Sequence, residues 1–157
     1  MAENKRPTSL PYKPLYPILM NSSFQRNDIR ARNEGIQREK FIAGTVSIYS
    51  SGSDDFRLAS CEFSAGEELK SEADQEKEEP FFEVKAEYII AVRFSGRVPN
   101  DEEMILLFTD VAATSAWPLF RSHFAMVTAQ AITELPPLPL VPDFIDASIV
   151  EGEPDEE

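Results

Sequence analysis

The chain has 157 residues, 42% of them hydrophobic, which suffices for one domain with a sizeable core. Its formal net charge of −13, from 28 acidic and 15 basic residues, repels a bare phosphate backbone and excludes nucleic acid as an expected partner. Cys61 is the single cysteine, so an intrachain disulfide and a thiolate zinc cluster are excluded, and a reducing compartment fits best.

The prolines crowd the two ends of the chain. Pro7, Pro11, Pro14 and Pro17 punctuate the start, and Pro136, Pro137, Pro139 and Pro142 punctuate the end. Regular structure is expected between these clusters. The division that follows is a proline-rich flexible N-terminus over 1–16, a single domain over 17–150 and a disordered acidic tail over 151–157. Residues 1–40 hold eight basic against four acidic residues, so the rest of the chain is strongly acidic. The basic start is interrupted by prolines and charges where a secretory signal needs about 7–15 apolar residues. Asp110, Arg121 and Glu134 break the apolar C-terminal half below the roughly 18 residues of a membrane span. A cytoplasmic protein that does not insert into membranes is the expectation.

In chain order, Ile18 to Gln25 can form an extended strand. Phe41 to Tyr49, rich in β-branched and aromatic residues, and Phe56 to Ala65 flank the turn-forming SSGSDD and read as a hairpin. Residues 66–79, with seven acidic and two basic residues, are expected to be a solvated loop. Then Phe82, Val84, Ala86, Tyr88, Ile90, Val92 and Phe94 occupy every second position, the period of a strand with one buried face. Ile89 and Ala91 make its second half apolar on both faces.

After Asn100 the acidic start DEE and a 3.6-residue period predict a short helix from about Glu102. A longer one follows from about Trp117 to Ile132, with the break at Pro118. Trp117, Phe120, Phe124, Val127 and Ala131 form a seam along it, suited either to the core or to self-association. LPPLPLVP is expected to be an extended connector, followed by a short helix from Asp143 to Val150 with Asp143 as N-cap.

Reaction chemistry finds little support. His123 is the sole histidine and has no cysteine beside it in sequence. No phosphate-cradling glycine loop or nucleophile elbow occurs among the six glycines, and adjacent acids such as Asp54/Asp55 and Glu102/Glu103 are common in so acidic a chain. A non-enzymatic protein without cofactor or metal is expected.

The order of these features resembles the SecB family of bacterial export chaperones. The segment AWPLFRSHFAMVTAQAITELPPLPLVP, 116–142, is similar to that family's aromatic-Pro-x-aromatic-Arg helix start and its Pro- and Leu-rich link. PFFEVKAEYIIAVRFSG looks like the family's last strand, with Glu83 and Val84 as its Glu-Val pair. The resemblance spans roughly 17–150. It implies an α+β fold: a four-stranded antiparallel sheet packed with a long kinked helix and a short C-terminal helix, assembled as a homotetramer, a dimer of dimers. The implied function is to hold unfolded preproteins in long apolar grooves, competent for translocation through the Sec export pathway.

On this reading clients are held by Ile90 and Val92 of the long strand, Leu138 and Leu140 of the connector, and Phe144 and Ile149 of the final helix. The seam from Trp117 to Ala131 forms a subunit interface. Glu83 occupies a position that contacts the SecA motor in the family, whereas Asn21 and Gln25 stand where acidic residues are expected. A SecB-like chaperone of a toxin-antitoxin system, or an oligomeric adaptor with one dedicated folded partner, is the alternative.

Overall fold

The structure is a computed structural model; it describes residues 12–26, 36–52, 55–71, 79–130 and 138–152. One mixed sheet of six strands carries a single long helix on one face, an α+β architecture. The strands are β1 (Tyr12–Pro14), β2 (Ile18–Arg26), β3 (Ile36–Tyr49), β4 (Phe56–Ser71), β5 (Glu79–Phe94) and β6 (Ile145–Val150). Strands β3, β4 and β5 form an antiparallel meander, with β1 and β2 end to end along the outer edge of β5. At the opposite edge β6 lies parallel to β3, with Ala147 beside Val46 and Ile149 beside Ile48.

Alternation along the three central strands defines the core. Val46 and Ile48 of β3, Ala59, Cys61, Phe63 and Ala65 of β4, and every even residue from Phe82 to Phe94 are buried on one face. Fully burying each large apolar side chain contributes about 1.5–3 kcal/mol. Phe63 is the centre of this layer, its ring 5.3 Å from that of Trp117, 5.6 Å from Phe120 and 6.3 Å from Tyr88. Tilted and edge-to-face pairs of this kind add to the burial itself.

The helix covers that face in three parts: α1 (Asp101–Val111), a π-helical turn (Ala112–Ala116) and α2 (Trp117–Gln130). Asn100 caps α1, its side-chain oxygen accepting from the Glu103 amide at 2.9 Å. Pro118 explains the wide turn, because proline has no amide hydrogen and its ring collides with the carbonyl four residues back in a regular helix. Thr114 and Ser115 donate their hydroxyls to the carbonyls of Asp110 and Val111 there. The expected break at Pro118 is therefore a bulge in one continuous helix.

Four expectations need correction. The sheet has six strands rather than four, and it is mixed rather than antiparallel. The expected C-terminal helix over 143–150 is strand β6, since Ile145, Ala147 and Ile149 alternate and β3 offers a free edge. Residues 66–71 and 79 are not loop but the ends of β4 and β5, whose backbone pairing extends to Leu69 opposite Glu79. Tyr12 to Pro14, assigned to a flexible terminus, pair with Val92 to Phe94. The rest of the expected acidic loop and residues 153–157 of the expected tail lie outside the described residues.

Candidate functional site

Strand β2 pairs with β5 on one side only among the described residues, and every one of its nine residues is exposed. Ile18 and Met20 are 60% and 59% exposed, and Leu19, Phe24 and the preceding Tyr16 are exposed as well. An edge strand carries a row of backbone donors and acceptors open to another chain, a liability usually masked by charge. Here it is apolar.

A bulge shapes this edge. Leu19 faces Tyr88 and Asn21 faces Glu87, so Met20 is the extra residue. The shift exchanges the two faces of the strand. Beyond it Phe24 turns to the helix side, its ring 5.1 Å from Phe82, while Asn21, Ser23 and Gln25 join Glu87, Lys85 and Glu83 on the open face. A polar cleft of about 140 Å³ sits at the bulge, lined by Asn21, Ser22, Ser23, Glu62, Lys85, Ala86 and Glu87. Lys85 bridges to Glu62 at 3.2 Å, and Ser60 donates to Glu87 at 2.9 Å. Glu83 is half-buried on this face, directly across from Gln25.

The connector supplies a second apolar surface. Leu138 is buried, whereas Leu140 and Val141 are 74% and 76% exposed. Phe144 and Ile149 are half-buried and pack against the core, the Phe144 ring 5.1 Å from Trp117.

Of the six residues expected to line a groove, Leu140 alone is freely exposed. Ile90 and Val92 are sealed beneath the helix, because the even-numbered face of β5 is the core face. Most of the expected seam lies on the same core. Trp117, Phe120 and Phe124 are buried within the chain and Val127 is half-buried against that core; Ala131 lies outside the described residues.

The outward face of α2 went unnoticed in the sequence. It presents Pro118, Leu119, Ser122, Ala125, Met126 and Ala129, all exposed and none charged. That run was visible in a chain with 27% charged residues.

Cys61 is buried, and desolvation pushes its thiol up to about 12, which leaves it protonated and unreactive. Among the described residues no group of three or more His, Cys, Asp or Glu side chains is placed to hold a metal ion, and no helix is long and apolar enough to cross a membrane. No protein-family model matches the chain, and no curated protein matches it.

Proposed function

We propose that this protein is a chaperone of the SecB kind, which holds non-native polypeptides by their apolar segments and catalyses no reaction. The observation that carries this reading is the open edge strand, where Ile18, Leu19, Met20 and Phe24 stand exposed beside backbone groups that β5 does not use. Non-directional apolar contact with strand-edge pairing suits guests of varied sequence. Leu140 and Val141 add apolar surface on the connector, and the high negative charge keeps such an assembly soluble.

Self-association belongs to the same reading. The uncharged outward face of α2 supports a helix-to-helix contact between copies, and with the open sheet edge it offers the two kinds of interface that a homotetramer requires. The expected partners are unfolded preproteins in the cytoplasm of a bacterium and, downstream, the SecA motor.

One observation favours a different pathway for the same fold. On the open face Gln25 lies across from Glu83 and Asn21 across from Glu87, so amides stand where a motor-binding surface would carry acids. A SecB-like chaperone dedicated to a toxin-antitoxin pair fits that change. Either way the chain binds unfolded polypeptide.

The test is suppression of aggregation of several unrelated denatured proteins by the purified chain, with its mass measured by light scattering. Holding them all, at four times the 17.7 kDa subunit mass, supports the reading. Binding only one folded partner supports an adaptor instead.

A further inference from the structure

The connector between α2 and β6 is poor in donors and rich in acceptors. Pro139 and Pro142 have no amide hydrogen, so among the described residues 138–142 these two can be held by hydrogen bonds only through their carbonyls. Two donor-only side chains meet two of them. The Trp117 indole N–H donates to the Pro139 carbonyl at 2.9 Å, and the Arg121 guanidinium Nε–H donates to the Leu138 carbonyl at 3.2 Å.

Trp117 and Arg121 are four residues apart, so they stand one above the other on the same side of α2. The connector crosses them in the opposite direction, Leu138 at Arg121 and Pro139 at Trp117. The Phe144 ring then packs edge-on against the indole. A slip of one residue in either direction would replace buried Leu138 by a proline, Pro137 or Pro139, beneath the same two donors.

We propose that Trp117 and Arg121 are a two-point latch that fixes the register of the connector, and so decides which of its apolar side chains meet a bound polypeptide. Leu138 is held inward as an anchor, and Leu140 and Val141 are held outward as contacts. Arg121 is a positioning residue in this scheme and touches no client. The two carbonyls it and Trp117 meet are already hydrogen-bonded and Pro139 and Pro142 offer no amide donor, so this part of the surface favours recognition of side chains over strand pairing. This inference rests on the polypeptide-holding reading above.

The test compares Arg121→Met, which keeps the stem and removes the donors, with Arg121→Lys, which keeps a donor. Trp117 is the only tryptophan in the chain, so its emission and its quenching by acrylamide report the latch directly. Binding of fluorescein-labelled, reduced and carboxymethylated α-lactalbumin to the full chain reports the client surface.

Arg121→Met is expected to shift Trp117 emission to the red, increase quenching and weaken probe binding about tenfold, with Arg121→Lys recovering most of both effects. Unchanged emission and quenching in Arg121→Met would overturn the latch. Altered emission with unchanged probe affinity would overturn its role in positioning contacts. The double substitution Leu140→Ser with Val141→Ser separates the two ideas. If it keeps both the emission and the probe affinity of the native chain, the polypeptide-holding role of this surface fails whatever the latch does.

Discussion

Gly66 of β4 lies against the backbone of Phe82 on β5 so closely that a Cβ at position 66 would overlap the Phe82 carbonyl oxygen. The contact stands beside the bulge between Glu67 and Glu68, where the pairing of the two long strands shifts register. Gly66→Ala is therefore expected to lower stability by about 1–3 kcal/mol, because the obstacle is backbone and cannot rotate away. Gly44→Ala is the control: its Cβ would meet the Phe63 ring at 3.1 Å, and the ring needs to yield by only a few tenths of an ångström. Urea unfolding of both variants should place Gly44→Ala within about 1 kcal/mol of the native chain.

The start of the helix rests on Asn100. Its carbonyl oxygen accepts from the Glu103 amide at 2.9 Å, and its amide donates to the Glu103 carboxylate at 3.0 Å. Asn100→Ala should cost about 1 kcal/mol in thermal or urea denaturation, and Asn100→Ser, which also caps well, should cost much less. Equal losses in the two variants would place the effect elsewhere than in the cap. Removing Arg97, whose bond to Glu103 at 3.1 Å is exposed, is expected to change little.

Alkaline pH should destabilise the fold through Cys61. Its thiol moves from an ordinary value of 9.0 to about 12 in the folded chain because burial disfavours the thiolate. Between those values the unfolded chain releases a proton that the folded chain keeps, so stability falls as pH rises from about 9 and the loss levels off near 12. The slope for one such group is about 1.4 kcal/mol per pH unit. Tyr88, also raised by burial, acts in the same direction. Cys61→Ala should flatten part of this pH dependence. In the native chain at pH 8, Cys61 should react with a disulfide reagent only on unfolding.

Charge placed on the outward face of α2 should separate copies without harming the fold. Leu119 and Met126 lie two helical turns apart there, both exposed. Leu119→Glu combined with Met126→Glu is expected to reduce the mass seen by light scattering while shifting the melting temperature little. An unchanged mass would move the contact between copies away from this face.

The sheet was largely legible because burial on one face imposes a period of two. The even residues from Phe82 to Phe94 showed it, β3 followed from a β-branched and aromatic run and β4 as its hairpin partner across a turn, whereas β2 showed only as a stretch that can be extended. The pattern weakened where strands leave the core: Glu67 and Glu68 still pair with β5, but backbone pairing leaves no mark on side-chain polarity. Asp143 looked like a helix cap and drew attention from the alternation of Ile145, Ala147 and Ile149.

The candidate surface was harder to see. An apolar residue in the sequence does not say whether it is sealed or open, and Ile90 and Met20 differ only in which strand has a neighbour on each side and a helix above. Trp117, Phe120 and Phe124 made an equally good core or interface seam, and the choice was set by the sheet beneath them.

The parallel pairing of β6 with β3 also has a consequence for the order in which the molecule is built. Gly44 and Ile145 are neighbours in space although about 100 residues separate them, with the whole meander and the helix between. Closing so large a loop is entropically slow to reward, whereas β3, β4 and β5 pair with strands adjacent in sequence. The meander and helix are therefore expected to assemble first, with β6 docking onto a nearly finished sheet. Until it does, the outer edge of β3 from Gly44 to Tyr49 stays open, and a newly made copy is briefly a substrate for strand pairing by its own neighbours.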